Sequence, residues 1–403
     1  MKFVIIPFLM APLVTQILAA ATLPAGTEIG IRLAGKVASE ITTPQTGIQA
    51  VVITAVFVDG KIALPAGPVF TGAVKLATAA SDKDRAHLQL VFTEISDGKV
   101  KVTVQAVVSG LENARETLDD KGVITGIDAA QSYGNRLNQG IAKLEANEKL
   151  SGLAAILQNA KQTLKIQDVN ANIDYEPGIE LTIKLTAPLN WTGTTTGPEA
   201  SLQPFPDEAA LPDLVNRQPF RTVAAKPPKP SDMTNLMFIG TEAELQAAFE
   251  KAGWSQAAKL SSASKLETAR AVIEDRGYKE GPMSVLLLDN QPPEMALQKG
   301  NNTFAQRHHL RIFRRPETFA GKPVWVCSST HDTGIDFSER DRTFIHKVDG
   351  EIDRERAKVV SDLLFTGLVK SVALVERPDV PVKVENATGD SLHTDGSMAV
   401  LLF

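Results

Sequence analysis

Arg307-His308-His309-Leu310-Arg311-Ile312-Phe313 is the stretch on which the fold of the second half turns. On a strand, successive side chains point to opposite faces. His308 then shares a face with Leu310 and Ile312, the core side, and His309 shares the other with Arg311 and Phe313. Read this way, the two histidines cannot jointly hold one metal. A hairpin of 308–313 with 323–328 would let Arg311 stack on Trp325.

Outward from this strand, residues 236–239, 285–288, 324–327, 343–348 and 398–403 read as further strands. Thr241-Glu242-Ala243-Glu244 is a capping box that opens a helix through Leu245, Ala248 and Phe249, with Gly253 as its stop. A second helix starts at Ser262 or Ser264 and ends near Gly277. A third, 352–365, carries Ile352, Val359, Val360, Leu363 and Leu364 on one face and stops at Gly367. Asp349 is placed to cap it, and Glu351, Asp353 and Glu355 suit its positive end. Helices between groups of strands point to a mixed α+β region.

The first half reads differently. Segments 27–33, 51–58, 69–74, 88–95 and 100–108 alternate as strands do. Leu23-Pro24-Ala25-Gly26-Thr27 and Leu64-Pro65-Ala66-Gly67-Pro68 are sharp turns between them, as are Asp59-Gly60 and Asp97-Gly98. Residues 127–166 switch to helical spacing, through Leu137, Ile141 and Leu144 and then Leu153, Ile156, Leu157 and Leu164. A closing strand follows at 179–185. The fold class is therefore multidomain: an N-terminal mostly-β barrel or sandwich with an inserted helical hairpin, then a C-terminal mixed α+β domain.

Length supports this division, since 403 residues exceed one ordinary core. The formal net charge of -5 argues against a nucleic-acid binder. Residues 1–21 read as a cleavable signal peptide, with Lys2 ahead of an apolar run and Ala19-Ala20-Ala21 at the cut, placed after Ala21. No later segment reads as a transmembrane helix, so the mature chain is expected to be exported, periplasmic or secreted. The lone Cys327 sits in an apolar run and reads as a small buried side chain. Thr192 to Gly197 and the prolines that follow make a semi-rigid spacer through residue 232, with Leu214, Val215 and Phe220 docking onward. The expected domains are the signal at 1–21, a β-module at 22–191 with its insertion at 127–166, a linker at 192–207 and a C-terminal domain at 208–403.

Several ordered motifs mark the second half: Asn235-Leu-Met-Phe-Ile-Gly-Thr241, Ala252-Gly-Trp254, Arg307-His-His-Leu-Arg311, His331-Asp-Thr-Gly334, His346-Lys-Val-Asp349, Gly389-Asp390 and Thr394-Asp-Gly396. In this order they resemble the LssY-type C-terminal domain of bacterial envelope proteins. His331 departs from that pattern, where an aromatic or small residue is expected before Asp332. The paired Leu-Pro-Ala-Gly turns, the helical excursion and the Pro177-Gly178 return are similar to the TrbI-like barrel of conjugation and type IV secretion channels. That resemblance implies a module used for assembly or binding and allows a homo-oligomer through the barrel. In that family the excursion helps build an outer-membrane ring. Here Lys143, Glu145, Lys149 and Lys161 make it polar.

The chemical candidates are His331, Asp332 and Asp336, read as a loop after a strand, together with His309. His346 alternates with Phe344 and Val348 and reads as core-facing. Arg307 and Arg311, with Arg314 and Arg315, form a candidate anion site. No Gly-x-Ser-x-Gly elbow, phosphate loop or dinucleotide fingerprint is present. No cofactor is expected; a divalent metal is allowed, its ligands unknown. The leading expectation is an exported envelope protein, non-enzymatic, that recognises an envelope protein or an anionic envelope ligand. The alternative is a hydrolase, acting on phosphoesters, built on the His/Asp cluster.

Overall fold

A computed structural model describes residues 21–58, 61–81, 83–112, 114–195, 197, 201–258, 261–278, 281–299, 306–338 and 343–403. The segment expected to be a signal, before Ala21, and the expected Asp59-Gly60 turn lie outside the described residues, as does the side chain of Asp336.

Six antiparallel strands close a barrel in the first half. The order is His87–Ser96, Val69–Thr78, Gly47–Val52, Glu28–Leu33, Glu180–Leu185 and Lys101–Leu111, and the last pairs back with the first. Alternation drives it: Ile29, Ile31 and Leu33 turn inward to meet Phe70, Phe92, Val108, Leu181 and Ile183 in one core. The turn at Leu23-Pro-Ala-Gly-Thr27 reverses the chain as its sequence demands, with Gly26 at φ +88° and Thr27 N–H donating to Pro24 O at 3.2 Å. Gly72 sits where the register shifts. A Cβ there would collide with the Val91 carbonyl and lie 2.8 Å from Phe92 Cα.

Helices Tyr133–Glu145 and Ser151–Thr163 form the expected hairpin, the first capped by Ser132, whose hydroxyl accepts from Asn135 N–H. The chain just past them leans on the second half: Arg270 donates to Lys165 O at 3.1 Å, and Gln167 N–H to Glu274 at 2.8 Å. Among the described residues no helix is long and apolar enough to cross a membrane.

The second half is built on one mixed sheet. Its order is Trp254–Gln256, Met295–Lys299, Arg307–Phe319, Lys322–Ser338, Leu236–Ile239, Ser397–Leu402 and Ser371–Glu376. Among its described strands only Leu236–Ile239 and Ser397–Leu402 pair in parallel. Both faces are covered. Helices Glu242–Lys251 and Ile352–Phe365 pack Phe249, Val359 and Leu363 on Phe238, Leu310 and Trp325. Leu211, Leu214 and Val215 pack on Met237, Phe313 and Val326 behind.

Three sequence expectations change here. Residues 331–336 are not a loop: they continue strand Lys322–Ser338, because Thr343–Val348 pairs with its far end. The proline-rich stretch is not a spacer through residue 232. Leu211–Asn216 is a helix with proline in its first turn, and Arg221–Ala225 and Pro228–Met233 form a hairpin. Arg311 does not stack on Trp325. The hairpin register sets Arg314 opposite Trp325, with its guanidinium 4.9 Å from the ring centroid, and Arg311 opposite Ser328.

Candidate functional site

Strands Arg307–Phe319 and Lys322–Ser338 put Arg307 opposite Asp332, His308 opposite His331 and His309 opposite Thr330. Alternation then sorts the candidates onto two faces. Asp332, His309, His346 and Arg307 meet on one, and His331 joins His308 on the other. The neighbours His331 and Asp332 therefore look away from each other. Asp336 pairs with Ile345 further along the strand.

Asp332 is the hub of the first face. Its Oδ2 lies 3.1 Å from Arg307 Nε, 3.2 Å from His346 Nδ1 and 3.6 Å from His309 Nδ1. Burial pushes its pKa up to about 6, against the pull of the Arg307 guanidinium. Burial also holds His309 well below its ordinary range, helped by the charges of Arg311 and Arg307. The His309 ring has Nε2 2.8 Å from Thr330 Oγ1 and, among the described residues, no hydrogen-bond partner at Nδ1. His346 is half-buried beside it, not in the core.

Thr330, His309 and Asp332 thus stand in the order of a nucleophile, a base and an orienting acid. Thr330 went unnoticed in the sequence because a threonine in a polar strand carries no signal. The arrangement lacks what the chemistry needs. The His309–Asp332 separation is too long for a hydrogen bond. Thr330 is buried and outside the large cleft described below. Arg307 also donates to Gln298 and Pro282 O, while Arg311 donates to Ser284 and reaches Asp232. Both arginines are buried and bonded within the protein, a poor arrangement for capturing an outside anion. Among the described residues no group of three or more His, Cys, Asp or Glu is placed to hold a metal ion. Asp349 does not cap helix Ile352–Phe365. Its Oδ1 accepts from Glu351 N–H, one residue short of the helix.

The opposite face meets the barrel. His308 Nδ1 lies 2.7 Å from Glu355 Oε2 on helix Ile352–Phe365, and its Nε2 lies 2.7 Å from Glu112 Oε1, just past barrel strand Lys101–Leu111. His331 stacks on it, with centroids 4.2 Å apart. Beside this pair, Glu180 of the barrel takes Arg32 at 2.7 Å, Lys358 at 2.6 Å and also Lys299. Lys299 and Lys358 reach on to Asp362, which accepts from Trp254 Nε1 at 3.0 Å. Burial would raise the Glu180 pKa, but these cations hold it well below the usual carboxylate range. A cleft of about 960 Å³ opens over the network, with walls that include Arg32, Glu112, Glu180, Lys299 and His308. Sequence reasoning missed it. Its partners lie more than a hundred residues apart, as Glu112 and His308 do, and no local pattern announces them.

Residues 215–398 match the LssY C-terminus family. That span takes in the strands from Leu236–Ile239 to Thr343–Val348, and with them Asp332, His309, His346 and His308. No curated protein matches the chain. Among solved structures, ComB10 of the Com type IV secretion system of Helicobacter pylori is similar at 16% identity, covering 42% of this chain and 90% of that one. The TM-score is 0.24, a likeness on which nothing further rests.

Proposed function

We propose that this is an exported cell-envelope protein that binds and does not catalyse. The barrel serves assembly, and the cleft between it and the LssY-type half receives an envelope protein or an anionic envelope ligand. The family match fits an envelope protein. The observation that carries the reading is the cleft itself: both halves build it, and charged side chains line its walls. Clefts at such junctions are common ligand sites. The separation of His331 from Asp332, and the sealed position of Thr330, weigh against the hydrolase.

The test is retention of solubilised envelope fractions by the purified chain. Gln167 is exposed on the cleft wall. Gln167→Trp should fill the opening and cut retention about tenfold, in line with the loss of one good contact. Retention of no fraction by the folded protein defeats the binding reading. Phosphoester turnover that disappears in His309→Gln would replace it with the hydrolase.

A further inference from the structure

His308 stands between two carboxylates, each 2.7 Å from one ring nitrogen. A neutral imidazole has one N–H and one lone pair, so it can donate to only one of them. Two ionised carboxylates at this distance are both satisfied only by the doubly protonated ring. The two acids belong to different parts of the molecule: Glu112 leaves the barrel, and Glu355 rides on a helix of the LssY-type half. We propose that His308 is a proton-operated clasp, which joins the two halves while protonated and loosens the junction and its cleft when the proton leaves.

The surroundings favour this role. Glu355 is buried and Glu112 is part-exposed, so the barrel-side contact is the one water can replace. His331, stacked on the ring from the neighbouring strand, is pushed down by burial and then by the charge of His308, which disfavours a second charge beside the clasp. Lys358 faces the site from the helix and opposes the charged ring, and Lys299 and Glu180 sit along the same wall. Burial also opposes the charge. The two carboxylates outweigh both and push His308 up to about 9. Glu112 is driven the other way: burial would raise it, but the hydrogen bond and charge of His308 bring it to about 2.

The sign follows from linkage. A histidine raised on folding contributes stability that is complete below its unfolded value, and the contribution is lost as pH rises through the folded one. Deprotonation sets a lone pair against one carboxylate and leaves Glu112 and Glu355 without the cation between them. The remaining ties, Arg115 to Asp275 O at 2.7 Å and the Glu180 cluster, keep the halves connected. The expected change is therefore an opening of the cleft, not dissociation.

The experiment uses the full chain without ligand, so its outcome is independent of what the cleft binds. Histidine ring resonances and small-angle scattering are followed together from pH 6 to 10. His308 should titrate near pH 9, and the radius of gyration should rise through the same midpoint. Glu112→Gln should lower that midpoint by about one unit, a tenfold loss of proton affinity, and move the expansion with it. A ring already neutral at pH 7, titration without expansion, or an expansion that ignores the substitution would each overturn the clasp.

Discussion

Asp332 shows how burial and charge compete at a single residue. Its carboxyl touches Arg307 yet is pushed up to about 6, because removal from water costs the charged form more than one guanidinium returns. An acid raised on folding adds stability below its unfolded pKa, and that share is lost as pH rises through the folded one. The unfolding free energy from urea titrations should therefore fall between pH 4 and 6, by at most about 3 kcal/mol. In Asp332→Asn this component should disappear and leave a flatter profile. An unchanged profile would show that Asp332 is ionised throughout. The split of His308 from His309 was legible in the sequence, because alternation along a strand is local. The partner of Arg311 was not. The turn at Ala320 and Gly321, with an irregular register between Arg314 and Thr318, moves the cross-strand neighbour of Trp325 by three residues.

Elements with strong local signals formed where their sequences place them. Helix Glu242–Lys251 carries the full capping box, with Thr241 Oγ1 accepting from Glu244 N–H and Glu244 accepting from Thr241 N–H. Thr241→Ala should cost about 1 kcal/mol in chemical denaturation. In the barrel, Gly72→Ala forces a Cβ into the Val91 carbonyl of the adjoining strand. The backbone cannot yield cheaply there, so a loss of about 2 kcal/mol or more is expected, read as a lower thermal midpoint. A neutral result would mean that strand Val69–Thr78 slides locally. Strand Lys322–Ser338 is the opposite case. Past Cys327 it turns polar through Ser328, Ser329, Thr330, His331 and Asp332, and pairing with Arg307–Phe319 and, from Asp332 onward, with Thr343–Val348 holds it extended.

At the scale of the whole molecule, the barrel and the second half meet through ion pairs and hydrogen bonds, and among the described residues no hydrophobic cluster spans both. Glu180 is the keystone, one buried carboxylate facing Arg32, Lys299 and Lys358. Glu180→Gln leaves three cations together with Asp362 as the nearest anion, and removing one partner of a buried pair typically costs about 3–5 kcal/mol. The expected result in calorimetry is a lower first transition that separates from the second, as the halves lose their coupling. A single transition at the wild-type temperature would show that the other hydrogen bonds across the junction suffice.

By itself the sequence determined the two kinds of architecture, the helical hairpin, the capped helices and the alternating strands. These depend on side-chain period and turn chemistry within a few residues. The tertiary structure alone decided which polar groups meet: Asp332 with His309 and His346, His308 with Glu112 and Glu355, and Glu180 with its three cations. Those meetings depend on strand register and on how two cores dock. Register and docking are set by contacts between distant segments, and any exposed charge satisfies local patterning equally well until the fold chooses its partner.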